Sequence, residues 1–129
     1  MRPIALRLKP GQDLRSEIET LVRNENIQAG CLISAVGSLN EATLRLADGK
    51  SVKTFKGPIE IVSATGTVSP DGCHIHLSVA DSEGKVTGGH LQKGCPINTT
   101  AELVVLAFDE IHFSREFDPD TGYEELKIS

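Results

Sequence analysis

The sequence predicts an α+β fold, with one main helix and a large, mostly antiparallel sheet. Two observations carry that prediction. One stretch alone, with Leu14, Ile18, Leu21 and Val22, repeats apolar residues at helical spacing. Six later stretches are rich in β-branched residues and are separated by segments with turn chemistry.

Residues 3–9, PIALRLK, alternate apolar and polar side chains as a half-buried strand does, and KPG closes them. Asp13 then occupies the N-cap position, where a carboxylate can accept from the unpaired N–H groups of a helix start, and Gly30 offers the stop. CLISAVGSL (31–39) and EATLRLA (41–47) read as two strands. PIEIVSATGTVS (58–69), CHIHLSVA (73–80), KVTGGHL (85–91) and AELVVLAFDEIHFSREF (101–117) follow. ADGKS, SPDG, DSEG and KGCPINT are the turns between them. No repeat, low-complexity tract or linker interrupts this order, so residues 1–129 read as a single domain.

A chain of 129 residues can bury a core without disulfides or a structural metal, so any metal it binds is expected to be functional. Cys31, Cys73 and Cys95 are odd in number and contain no C-x-x-C pair, which fits a reducing compartment. No charged leader with an apolar run opens the chain, and no stretch approaches the ~18 apolar residues of a membrane span. The expectation is a soluble, cytoplasmic protein with no membrane partner. Thirteen Lys and Arg stand against eighteen Asp and Glu, a formal charge of -5. That sign opposes an electrostatic grip on phosphate backbones, and DNA is disfavoured as a partner.

Three of the four histidines fall within residues 71–91. Side chains alternate faces along a strand, so His74 and His76 share one face while Cys73, Ile75 and Leu77 take the other. If Ser82-Glu83-Gly84 is a three-residue hairpin loop with its glycine in the left-handed position, Asp81 faces Lys85 and His76 pairs with His90. A loop one residue longer would turn His90 away. In the first register three neutral imidazoles meet on one face, a donor set that suits a divalent metal, zinc in first place, and leaves a fourth position for water or substrate. Hydrogen bonding or a place at an interface is the alternative for the same rings. Gly88 and Gly89 mark a close backbone approach or a simple bend.

Such a centre needs groups to position substrate and move protons. Arg45 reads either as a solvated strand residue or as a carboxylate clamp. Glu60 and Glu102 read as a proton acceptor, a partner to a metal-bound histidine, or members of ion pairs. His112 lacks an i, i+2 partner and reads as a surface or interface residue. Cys95 reads as a small buried hydrophobe, with an approach to the metal as the alternative. No nucleophile triad, phosphate-cradling loop or dinucleotide fingerprint is present.

AGCLISAVGSLNEATLRLADG, GPIEIVSATGTVSPDGCHIHLSVADSEGKVTGGHL and NTTAELVV together resemble the PPC domain family, the plant and prokaryote conserved domain. Its most specific pieces are Gly37-Ser38-Leu39 with Leu44-Arg45, the Glu60 strand ending at Gly66, His74-x-His76, and Gly88-Gly89-His90. The resemblance runs over nearly the whole chain, from the first strand to TGYEEL near the C-terminus. It implies an α+β fold that assembles as a homotrimer, with a metal on His74, His76 and His90 in some prokaryotic members. It also implies a fold similar to acetolactate decarboxylase, another three-histidine zinc protein. Plant members carry an AT-hook before the domain, and DNA binding is inferred for prokaryotic members on that account; here Arg2-Pro3 is the nearest fragment of such a hook. The expected function is therefore a metal-binding homotrimer with a small-molecule ligand and an activity not yet defined. A DNA-associated regulator and a purely structural trimeric domain are the alternatives.

Overall fold

The helix α1 (Leu14–Asn24) lies between β1 (Arg2–Leu8) and β2 (Gly30–Arg45) in the computed structural model, which describes residues 1–129. The remaining strands are β3 (Val52–Ser69), β4 (Gly72–Ala80), β5 (Val86–Leu91), β6 (Ile97–Ala107), β7 (Phe113–Asp118) and β8 (Tyr123–Ile128). The expected α+β class is correct. Six strands form one antiparallel sheet in the order β1-β6-β2-β3-β4-β5, and β7 and β8 form a separate hairpin.

Asp13 caps α1 as expected. Its carboxylate accepts from Ser16 N at 3.0 Å and Ser16 Oγ at 2.9 Å, and also from Gly94 N at 2.8 Å and Cys95 N at 2.7 Å. Burial alone would raise its pKa, but these donors outweigh burial and hold the carboxyl below its ordinary 3.8. One side chain thus joins the helix start to the loop before β6. The helix stops earlier than Gly30. Asn26 takes a left-handed φ of 50°, its N–H donates to Arg23 O, and Ile27 N donates to Val22 O at 2.9 Å. This is a Schellman stop closed by the buried pair Val22 and Ile27.

Leu14, Ile18 and Val22 press α1 onto the sheet, where Leu39, Leu44, Leu77, Val79, Leu91 and Leu103 complete the core. Each such side chain contributes about 1.5–3 kcal/mol by leaving water. The two strands expected at 31–39 and 41–47 are one strand of 16 residues. Its register shifts between Leu39 and Glu41, and Asn40 N donates instead to Pro96 O at 2.9 Å, so the break is a bulge and not a turn. The strand expected from Pro58 begins at Val52, because residues 52–56 pair with 41–45 across the ADGKS turn. The run 101–117 is two strands. Phe108 N turns away to Ala29 O, Phe113 N to Gln28 O, and the chain leaves the sheet.

Because β2 is long and curved, its far end also pairs with β5, through Leu44 with Leu91 and Arg45 with His90. Strands β2, β3, β4 and β5 therefore close into a ring. That closure brings β2 to the histidines.

Candidate metal centre

The hairpin between β4 and β5 has the three-residue loop. Asp81 N donates to Lys85 O at 3.0 Å, Gly84 N donates to Asp81 O at 2.9 Å, and Gly84 has φ +80°. Asp81 Oδ1 also accepts from Glu83 N and Lys85 N. His76 consequently pairs with His90. His74, His76 and His90 share the face opposite the buried Ile75, Leu77 and Val79. Their ring centroids are 5.1 Å apart for His74 and His76, 5.0 Å for His74 and His90, and 4.5 Å for His76 and His90.

One ring nitrogen from each histidine lies within 4.8 Å of the other two. Nitrogens bound at ~2.1 Å to one tetrahedral ion would stand ~3.4 Å apart, a difference that small side-chain rotations absorb. The donor set therefore fits a divalent ion. Gly89 makes room for this arrangement, since a Cβ there would lie 2.6 Å from the carbonyl oxygen of Arg45. The close approach is the correct one of the two readings of Gly88-Gly89.

Arg45 Nη2 lies 3.2 Å from His90 Nδ1. A guanidinium only donates, so Nδ1 accepts and a neutral His90 carries its proton on Nε2. Burial lowers the pKa of His74, with His76, Arg115 and Arg45 adding to the effect and Glu125 opposing it. Burial likewise lowers His90, helped first by Arg45. Both rings thus favour the neutral form, the charge state an imidazole needs to ligate a metal.

Lowered histidine pKa values have a definite sign for stability. The folded chain binds these protons more weakly than the unfolded chain, so stability is full above 6.5 and falls as pH drops through 6.5 toward the lowered values. The melting temperature of metal-free protein should fall from about pH 7.5 to about pH 5.5, and a His74→Gln, His90→Gln double variant should fall less. Equal slopes would contradict the assignment.

Two clefts meet at Arg45 and His90. The first, of about 590 Å³, runs past Arg15, His74 and Gln92 to Arg115 and Tyr123 of the β7–β8 hairpin. The second, of about 360 Å³, is lined by Ser63, Thr65, His76 and Ser78. Glu60 is exposed, pairs with Ala80, and sits on the same face about 13 Å along β4 from His76, outside both clefts. Glu102 is exposed on the outer face of β6, opposite Arg7 and Val36. His112 is exposed and outside the cluster. Cys95 is a buried small side chain, as expected; its Sγ accepts from Thr43 N at 3.3 Å, and burial pushes its thiol up to about 11. It does not approach the histidines as a ligand.

Sequence reasoning missed Arg115 and Tyr123, because residues 101–117 read as one strand. The signal was Asp118-Pro119-Asp120-Thr121-Gly122, a turn by composition, between REFD and YEEL.

A small α+β domain with three histidines gathered on one face of its sheet is the class of protein that the fold and site define. The chain belongs to the Plants and Prokaryotes Conserved (PCC) domain family, whose model matches residues 1–109. It is 53% identical over 123 residues to the bifunctional protein GlmU of a Synechococcus strain, covering 95% of this chain but 20% of that protein. Among solved structures it is similar to a hypothetical protein from Salmonella enterica, with 38% identity, a TM-score of 0.96, and coverage of 99% of this chain and 93% of that one. A metal-containing protein from Archaeoglobus fulgidus has 31% identity and a TM-score of 0.82 over 97% of this chain and 92% of its own. DNA binding is suggested for a Bacteroides thetaiotaomicron relative with 25% identity and a TM-score of 0.87, over 97% of this chain and 91% of its own. A Staphylococcus aureus protein similar to alpha-acetolactate decarboxylase shares the fold alone, with a TM-score of 0.52 and 14% identity over 82% of this chain and 52% of its own. No helix of this chain is long and apolar enough to cross a membrane.

Proposed function

We propose that this chain holds one divalent metal ion, zinc in first place, on His74, His76 and His90, and binds a small oxygen-rich ligand beside it. The observation that carries this reading is the convergence of the three rings, with their donor atoms within 4.8 Å, at the meeting of two clefts. The 31% identity to a metal-containing protein supports it. A metal on three protein ligands supplies an open position that polarises a carbonyl or activates water. Arg45 cannot donate to the nitrogen of His90 that binds the metal, nor to a protonated Nδ1. Its guanidinium then turns to the anionic group of the ligand. Glu60, about 13 Å away, has no part in this centre within one chain.

The homotrimer belongs to the same reading. Strands β1, β6 and β2 leave Ile33 and Val36 exposed on the face opposite the helix, beside the half-buried Val104 and Leu106. A sheet face that exposes these apolar side chains around Arg7 and Glu102 favours a second copy as its cover. Elemental analysis of purified, tag-free protein, with the mass of the assembly measured on the same sample, tests both parts. One metal per chain in a particle of three chains is the expected result, and no metal after reconstitution with zinc would overturn the centre.

Duplex DNA is the second reading, favoured by the role suggested for the Bacteroides relative. The charge of -5 opposes it. Absence of a shift with A·T-rich duplex at low salt would remove it.

A further inference from the structure

The strand register carries a second cation to the histidines from the side opposite Arg45. His90 pairs with Arg45 on β2, and His74 pairs with Thr67 on β3. Arg115 of β7 lands on that threonine, its Nη2 donating to Thr67 Oγ1 at 3.2 Å. The backbone N–H of Arg115 donates to Asp71 Oδ2 at 3.0 Å, which fixes the hairpin against the β3–β4 turn. At its other end the hairpin rests Tyr123 against the β2–β3 turn, where a Cβ on Gly49 would lie 2.9 Å from the tyrosine hydroxyl. The histidines therefore stand between two guanidiniums that open into one cleft.

Neither guanidinium forms an ion pair within the chain. The ion pairs engage Arg2, Arg15, Lys56, Lys93, Lys127 and the N-terminus, and none involves Arg45 or Arg115. Arg45 Nε is also buried without an acceptor, a group that a bound oxygen would satisfy. Asp71, Glu124 and Glu125 line the same cleft. Their charge opposes a long polyanion, whereas a small ligand can meet each arginine locally.

We propose that Arg45 and Arg115 form an anion clamp across the histidine cluster that selects a small dicarboxylate over a monocarboxylate. The proposal takes the place of the ligand from the reading above, while the two arginines stand with or without a metal. One side of the clamp lies on the β7–β8 hairpin, beyond the residues 1–109 that the family model matches.

Calorimetric titration of succinate, malonate and acetate decides it, using zinc-treated and metal-free protein, as wild type, Arg115→Gln and Arg115→Lys. A dicarboxylate should bind wild type about tenfold or more tightly than acetate, the scale of one charge-assisted hydrogen-bonded contact. Arg115→Gln should erase that preference by bringing dicarboxylate binding down to the level of acetate, while metal content is retained. Arg115→Lys should keep part of it. Equal succinate binding by wild type and Arg115→Gln, or no dicarboxylate preference in wild type, would overturn the clamp. Protein that takes up no zinc would end the metal reading, and the same comparison on the metal-free samples would still decide the clamp.

Discussion

Replacing His76 by alanine should weaken zinc binding about a hundredfold or more while the protein stays folded. Loss of an outer partner of a metal ligand already costs about 10–100-fold, and removal of a ligand itself costs more. His76 lies nearest to His90, with ring centroids 4.5 Å apart, and its removal leaves two donors on neighbouring strands. Its side chain is exposed, so no core contact is lost, and the backbone pairing with Thr65 and His90 remains. Competition against a zinc-binding dye measures the affinity, and His112→Ala, outside the cluster, is the control. Equal zinc affinity in wild type and His76→Ala would end the three-histidine assignment.

Gly66→Ala should lower the melting temperature by about 10 °C or more and remove zinc binding together with stability. A Cβ at this position would lie 2.0 Å from the carbonyl oxygen of His74 and 2.7 Å from Cα of Ile75. Both are backbone atoms of the partner strand, so no rotamer change relieves the clash. The ladder must open where Gly66 pairs with Ile75, between the rows that hold His74 and His76. Overpacking of a tight site costs typically about 1–3 kcal/mol, and a clash with backbone belongs at or above the top of that range. Thermal denaturation with and without zinc checks it. A variant that melts like wild type and binds zinc would show that β3 and β4 can separate here without moving the histidines.

The histidine triad was legible because each step toward it is local. Alternation places His74 and His76 on one face, and Asp81 with Gly84 closes a loop whose length fixes His90 opposite His76. The helix was legible for the same reason, through the Asp13 cap and the Leu14, Ile18 and Val22 face. Its end was misplaced because Gly30 is the more obvious stop, whereas Asn26 takes the left-handed turn. Asn40 looked like an end of strand because a bulge and a turn use similar residues; the distinction lies in Pro96, which accepts its N–H from another part of the chain.

Sequence by itself determined the α+β class, the single helix and the shared face of His74 and His76, since periodicity and turn chemistry act between neighbours in the chain. It narrowed the β4–β5 register to two loop lengths, between which the Asp81–Lys85 pairing and the left-handed Gly84 decide. Tertiary structure alone decided which cations stand beside those rings. Arg45 meets His90 across 45 residues, only because the curved β2 closes the ring onto β5. Arg115 meets Thr67 across 48 residues, only because the final hairpin folds back over the β3–β4 turn. No period or local motif encodes such contacts; they follow from the bend of a 16-residue strand and the packing of a hairpin outside the main sheet.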